Sequence, residues 1–384
     1  MTFDGSAETD GAFNITGGGA ADTIKGGSGN DTIDGGAGSN NITAGLGHDT
    51  LICGSGNDIF SFAAFSGLTS ADTVDGGSGS DTIALTGNTA LTAENDFDAV
   101  KNIETITLSN TNTDVSITTK DTLVAASAAL TLSNAANSGV LTFIGSAETD
   151  GTFTITGGAG GDTLSGGTGS DTLIGGAGND SITSGAGSDS ITGNAGADTI
   201  TLGSSANDNT RQTIIYSATS DGAAAGGSSG ADTITQFDAN ANDATDDLIQ
   251  ISGALKTTLD DDIDGTLDYS ASDGIDLGNQ AIVGGANQEA TVLSDSEIEI
   301  ALSAFTTPGL VNLVTELGEE IDFSGIATGE EHLFIMNFST TQTALVLYTA
   351  GSGGDDTITA ADLQVLSIVT HNDGTGLAAD NLAF

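Results

Sequence analysis

The sequence predicts an all-β chain, a right-handed parallel β-roll or β-solenoid finished by a mixed, mainly β C-terminal region. Three observations carry that expectation. A nine-residue unit rich in Gly and Asp recurs in two tandem arrays, period-2 apolar runs lie between them, and the 384 residues include 57 Gly, 1 Pro and only 4% aromatics. Short strands joined by glycine turns suit this composition better than an aromatic-centred core.

Residues 1–85 read as a leader strand and a first roll. From Gly17 to Ser61 run GGGAADTIK, GGSGNDTID, GGAGSNNIT, AGLGHDTLI and CGSGNDIFS, each following Gly-Gly-x-Gly-x-Asp-x-U-x with U apolar. Two further copies, the first degenerate, fill Gly67 to Asp75 and Gly76 to Ala84. Residues 86–156 lack the unit but carry alternating runs such as Ile103 to Leu108 and Val140 to Phe143, expected to be strands of the same solenoid.

Residues 157–235 read as a second roll: GGAGGDTLS, GGTGSDTLI, GGAGNDSIT, SGAGSDSIT and GNAGADTIT from Gly157 to Thr201, with an outlying copy at Gly227 to Thr235. The leader is duplicated as well, since GSAETDGAFNITGG from Gly5 returns as GSAETDGTFTITGG from Gly145. Residues 236–384 are expected to cap the stack. Here Leu248 to Ile251 and Leu333 to Phe338 read as strands. Ser294 with Glu297 forms a capping box, and Pro308 opens a second helix running to about Leu317.

Charge excludes two classes of partner. Asp+Glu number 53 against Lys+Arg 5, a net charge of -48, so phosphate backbones and anionic lipid surfaces are repelled; neither nucleic acid nor membrane insertion is expected. With charged residues at 15% and hydrophobic residues at 37%, the chain is nonetheless able to bury a core. A single Cys, Cys53, permits no intrachain disulfide and is read as incidental to function. The N-terminal MTFDGSAETDG lacks the basic and apolar regions of a cleaved signal, and no apolar run approaches the roughly 18 residues of a membrane span.

Within the nine-residue unit, six positions form a turn and three a strand. The apolar residue points inward: Ile24, Ile33, Ile42, Leu51 and Phe60 in the first array, Leu164, Leu173, Ile182, Ile191 and Ile200 in the second. One such side chain contributes about 1.5 to 3 kcal/mol, whereas ordering the backbone costs roughly 1 to 2 kcal/mol per residue. Burial alone therefore does not fold the unit. The sixth-position carboxylates form rows on the turn edges: Asp22, Asp31, Asp49, Asp58, Asp72 and Asp81, then Asp162, Asp171, Asp180, Asp189, Asp198 and Asp232. A hard divalent cation removes their mutual repulsion. Ca²⁺ is expected, several ions and roughly six to nine in all, because it accepts carboxylate and carbonyl oxygens in flexible geometry. The leading glycines Gly26, Gly35, Gly157, Gly166 and Gly175 belong to the expected metal sites. Mg²⁺ suits the pattern less, and Zn²⁺ lacks its Cys and His.

These tandem strings resemble the repeats-in-toxin (RTX) calcium-binding family. The resemblance implies a calcium-loaded β-roll and export by type I secretion machinery through an uncleaved C-terminal signal, which the absence of basic residues after Lys256 and the ending Asp380-Asn381-Leu382-Ala383-Phe384 resemble. DFDAVKNIETITL from Asp96, the duplicated leader and GADTITQFD from Gly230 are similar to bacterial surface-layer and related RTX surface proteins; the last segment is also similar to the C-terminal roll of serralysin-type proteases. Some copies depart from the pattern. Asn40 stands at a sixth position, where its neutral oxygen makes a weak site, Ala20 replaces a fourth-position Gly, and Ala44, Cys53, Ser184 and Asn194 replace leading glycines.

Other readings weigh less. Asp260, Asp261 and Asp262 fall outside the register and read as a solvated face. Gly226 to Gly230 matches a nucleophile-elbow string with His332 or His371 downstream, but no apolar strand leads into it. Glu330-Glu331-His332 is not HExxH, and His48 is expected to face solvent. An ice-binding roll would need ranked Thr or Asn at the third turn position, which here varies. No enzyme is expected. The expected function is a calcium-dependent secreted structural protein of the bacterial cell surface, extracellular and surface-layer-like, with self-assembly or surface polysaccharide as partners. The alternative is the calcium-binding and secretion portion of a larger RTX enzyme or adhesin, favoured by a chain that starts inside a repeat leader.

Overall fold

The computed structural model describes residues 1–62, 67–86, 97–109, 113–203, 210–218, 220–221, 231–237 and 247–251, with the strands at 290–293, 331–339, 342–349, 363–371 and 382–383. The helices expected around Ser294 and Pro308, the Gly226 to Gly230 string, Lys256 and most of the C-terminal cap lie outside these residues. No α-helix occurs among the described residues. The chain divides into two compact units, residues 1–177 with 183–189 and residues 178–182 with 190–384.

The first unit is a parallel β-roll. Successive short strands alternate between sheets, and each pairs in parallel with the strand one coil away. Thr2–Asp4, Thr23–Lys25, Asn41–Thr43, Ile59–Phe62, Thr82–Leu85, Thr105–Leu108, Ala129–Ser133, Thr152–Thr156 and Thr172–Ala177 follow one another in one sheet. Facing it are Asn14–Gly18, Thr32–Gly36, Thr50–Ile52, Thr73–Asp75 and Val100–Lys101, and farther along Val115–Thr118, Leu141–Ile144 and Thr163–Ser165. The strands between the arrays thus continue the solenoid, as their period-2 pattern predicts.

Register follows the repeat. Ile24 pairs with Ile42 and Ile42 with Phe60, while Ile33 pairs with Leu51. Equivalent turn residues lie 18 apart, two repeats to a coil. The spacing grows to 23 at Asp49–Asp72 and to 26 at Asp114–Val140, then returns to 18 at Phe153–Asp171. The extra residues are taken up in the turns, so the apolar ladder keeps its alignment: Ile106 pairs with Leu132, and Ile155 with Leu173.

All ten inward residues named from the repeats, Ile24 to Phe60 and Leu164 to Ile200, are at most 1% exposed. Period-2 alternation forces this, because a strand only three to five residues long offers one or two side chains to the interior and the rest to solvent. The duplicated leaders fold alike. Phe3 and Phe13 meet edge to face at 5.1 Å, and Phe143 and Phe153 do so at 5.0 Å.

The second unit starts with the same parallel stacking. Ser190–Ala195 pairs with Thr213–Tyr216, which pairs with Leu248–Ile251 and then Leu382–Ala383; Thr199–Thr201 pairs with Asp232–Phe237 and then Leu363–His371. From there the direction reverses. Leu363–His371, Gln342–Thr349 and Glu331–Ser339 form an antiparallel meander, with Ala290–Leu293 parallel at its far edge. Strands of eight or nine residues here replace the short repeat strands, and the helices expected to make this region mixed lie outside the described residues.

Phe153 is 1% exposed, whereas Phe13 in the first leader is half-buried. Phe153→Ala is expected to cost roughly 3 to 5 kcal/mol, and Phe13→Ala clearly less. Chemical denaturation in saturating calcium compares them.

Candidate metal centre

Each repeat turn holds its Asp in the same way. The short strand carries the sixth residue to the turn edge, where its side chain folds back over the stack. Oδ1 of Asp31 accepts the backbone N–H of Phe13 at 2.8 Å, and Oδ1 of Asp49 accepts that of Asp31 at 2.8 Å. The Asp49 N–H in turn donates to Asp72 Oδ1 at 2.6 Å. The opposite edge carries a second column, in which the N–H groups of Asp22, Asn40, Asp58 and Asp81 donate to Asn40, Asp58, Asp81 and Glu104. In the second array Phe153 donates to Asp171, and Asp171 to Asp189; Leu141 donates to Asp162. Asp180 donates to Asp198, and Asp198 to Asp232.

The second oxygen separates two kinds of turn. In the first two copies of each array it closes on its own turn. Asp22, Asp31, Asp162 and Asp171 accept the N–H of Gly18, Gly27, Gly158 and Gly167 through Oδ2 at 2.7, 2.9, 2.6 and 2.8 Å. Asp22 Oδ1 also meets the Met1 ammonium. In later copies the turn changes shape: Gly36 takes φ +73° and Gly185 φ +90°, conformations that a Cβ would strain. Oδ2 of Asp49, Asp58, Asp81 and Asp198 is then buried without a hydrogen-bond donor.

A buried bare carboxylate oxygen is costly, and beside others of the same sign it is costlier. Burial raises Asp49, Asp81 and Asp198 to about 6, with repulsion from neighbouring carboxylates added. Burial likewise raises Asp171 to about 6 and Asp189 to about 7, and it lifts Asp162 above its ordinary range.

The leading glycines sit where oxygens converge, and Gly26, Gly35, Gly157, Gly166 and Gly175 are all buried. A Cβ on Gly26 would collide with the Ala44 carbonyl and Asp31 Oδ2; on Gly157, with the Gly175 carbonyl and Asp162 Oδ2; on Gly166, with the Ser184 carbonyl and Asp171 Oδ2. At these three glycines the Oδ2 atoms are closed by backbone N–H groups, whereas the bare Oδ2 of Asp81 lies against Gly76 beside the Asn102 carbonyl and that of Asp198 against Gly193. Carboxylate and carbonyl oxygens of this kind suit a hard cation with many oxygen ligands, and Ca²⁺ would be held there by the later-copy carboxylates and neighbouring carbonyls. When bound it supplies the positive charge these columns lack.

Three predicted positions are built differently. Asp72 gives Oδ2 to the N–H of Thr69 at 2.6 Å and to its hydroxyl at 2.9 Å. Asp232 accepts the Tyr216 hydroxyl through Oδ2 at 2.9 Å, and burial, then repulsion from Asp198, pushes its carboxyl up to about 8. Gly35 faces no carboxylate: a Cβ there would meet Cys53 Sγ and Asn40 Nδ2. Asn40 keeps the column intact, accepting the Asp22 N–H at 3.0 Å, while its amide donates to the Gly38 carbonyl at 2.9 Å. The turn thus satisfies itself with an amide donor where Asp49 and Asp58 present a bare acceptor. Cys53, read from sequence as incidental, is 4% exposed and packs against this turn, its Sγ 4.0 Å from Asn40 Nδ2. At Asn194 the leading Gly is replaced at φ +65°, a conformation Asn tolerates. His48 is exposed, as expected.

Sequence pattern missed four residues of these columns and their flanks. Glu104 receives the Asp81 N–H through Oε2 at 2.7 Å, Asp114 that of Val140 at 2.9 Å, and Asp247 that of Gln212 at 2.8 Å. Asp221 caps its own turn through the N–H of Ser217 at 2.8 Å. The signal for the first three was coil spacing, which lengthens where the repeat is lost.

These carboxyls have folded-state values above their unfolded ones, so the folded chain without metal holds the extra protons. Their contribution is present at acidic pH and is lost as pH rises through about 6 to 8. In chelator, ordered β signal in circular dichroism should therefore be greater near pH 5 than at pH 8. Calcium affinity should fall as pH drops below about 6, since the ion then displaces protons. Asn40→Asp combined with Cys53→Gly should add a further calcium ion, counted by native mass spectrometry.

A comparison with curated proteins finds no match. A family model for the RTX calcium-binding nonapeptide repeat matches residues 16–51, 37–64, 65–86, 156–191 and 174–208. These segments contain the column carboxylates from Asp22 to Asp81 and from Asp162 to Asp198, while Glu104 and Asp232 lie beyond them. The two arrays therefore match the RTX calcium-binding nonapeptide repeat, and they are folded as a parallel β-roll.

Proposed function

We propose that this chain is a calcium-dependent, secreted structural protein of the bacterial cell surface, surface-layer-like, without catalytic activity, which folds when it meets calcium outside the cell. The observation that carries this reading is the set of buried, bare Oδ2 atoms on Asp49, Asp58, Asp81 and Asp198 inside a wall of backbone hydrogen bonds. Such turns are poorly stable without cations. An interior with little free calcium keeps the chain extended and exportable, and extracellular calcium orders it.

Affinity in the range of about 10⁻⁴ to 10⁻³ M, typical of extracellular modules, would match that switch. Two further features support a scaffold. The roll exposes mostly Thr, Ser and Asn at its strand surfaces, and no helix among the described residues is long and apolar enough to cross a membrane. Recognition of type I export machinery by the C-terminal region, and assembly with copies of itself or with surface polysaccharide, belong to the same proposal.

Calcium titration followed by circular dichroism, with chelator reversal and magnesium as control, tests the folding switch. Cooperative ordering by calcium alone is expected, and an ordered spectrum that survives exhaustive chelation would overturn it. Asp49→Asn and Asp198→Asn should each move the midpoint to higher calcium severalfold. Electron microscopy of the calcium-loaded chain then tests assembly: two-dimensional arrays support the surface-layer role, and strictly monomeric particles favour the carrier portion of a larger enzyme or adhesin.

A further inference from the structure

One acidic group stands apart from the repeat columns. Asp121, Glu148 and Asp150 each place a carboxylate oxygen within 4.8 Å of the others. Asp121 lies in the non-repeat solenoid, whereas Glu148 and Asp150 lie in the second leader, GSAETDG, one coil ahead of the Asp171 turn. Ile155 pairs with Leu173, which places Glu148 at the leading position of a coil whose sixth residue is Phe153. That coil therefore has no repeat Asp of its own.

Glu148 is 0% exposed, and its Oε2 has no hydrogen-bond partner. Its other oxygen accepts the N–H of Gly151 at 2.9 Å and of Asp150 at 3.3 Å. Asp121 Oδ1 accepts the Thr149 N–H at 2.9 Å, and the Ser127 N–H donates to the Asp150 carbonyl at 2.9 Å. The backbone thereby fixes the carboxylates of Asp121 and Glu148 and holds the Asp150 main chain beside them. Lys120, the adjacent ammonium, lies instead on Asp98 at 3.2 Å. Burial, with repulsion from Asp121 and Asp150 added, holds the Glu148 carboxyl above its ordinary range.

We propose that Asp121, Glu148 and Asp150 form a calcium site outside the repeat turns, which clamps the non-repeat solenoid to the first coil of the second roll. The donor set is all oxygen and carries no His or Cys, so a hard cation is selected over zinc. Oxygens on opposite sides of a calcium ion at about 2.4 Å lie about 4.8 Å apart, so three atoms this close can share one ion. Bound there, the cation gives the buried Oε2 its partner and removes the repulsion within the triad.

The first leader is an internal control. Glu8 repeats the local fold of Glu148: the Glu8 carbonyl accepts the Ser28 N–H and the Glu148 carbonyl the Thr168 N–H, both at 3.1 Å. Yet Glu8 is only half-buried, Asp10 is exposed, and among the described residues no third carboxylate joins them.

Native mass spectrometry of the full chain in calcium, with circular dichroism as the folding check, tests this. Asp121→Asn and Glu148→Gln should each bind an ion fewer than the parent chain, while Glu8→Gln keeps the parent count. Asp121 is exposed, so its variant folds even if Glu148→Gln does not. An unchanged count in Asp121→Asn, or an equal loss in Glu8→Gln, would overturn the proposal. Array formation plays no part in the result, so the site stands or falls separately from the surface role.

Discussion

The structure depends on stacked carboxylates that are withdrawn from water yet held on one edge of a coil. The sixth-position side chain serves the backbone from Asp31 onward, because its Oδ1 accepts an N–H of the coil before it. That same bond fixes the next carboxylate one coil away and buries it. Geometry that closes the hydrogen-bond column therefore concentrates negative charge, and the charge must be met by protons or cations. A neutral Asn does the backbone's work without the charge, as Asn40 demonstrates.

The interior is a ladder of mostly aliphatic side chains, with Tyr216, Phe60, Phe62, Phe143, Phe153 and Phe237 among its widest rungs. Such a ladder specifies register firmly, since a slip by one residue would turn every apolar side chain outward. It specifies turn length weakly. That is why the coil tolerates growth from 18 to 23 and 26 residues in the middle of the first unit without losing alignment. Function follows the same division: strands hold the stack together, and turns hold the charge.

Much of the candidate site was legible in advance. Every sixth-position carboxylate named from the repeat is buried, from Asp22 at 4% to Asp81 at 0%, because repeat phase alone decides which residue reaches the turn edge. Differences among those carboxylates were not legible. Asp31 and Asp58 each end the same string, Gly-Ser-Gly-Asn-Asp, yet one closes on its own glycine and the other is bare. Tyr216 reaches Asp232 from a neighbouring coil, and Cys53 reaches Asn40 the same way; no local motif marks either contact.

From the amino-acid pattern alone follow the all-β class, the two repeat arrays, the inward apolar ladder and the preference for a hard, oxygen-loving cation. Periodicity suffices for these, since residues nine apart repeat one conformation and residues 18 apart stack. Only the folded arrangement shows which carboxylate oxygens are bare, which turn is closed by an amide donor, and that Asp121 lies beside Glu148 and Asp150. Those outcomes depend on what the adjoining coil places against each turn, and where the coil length changes, sequence spacing no longer reports it.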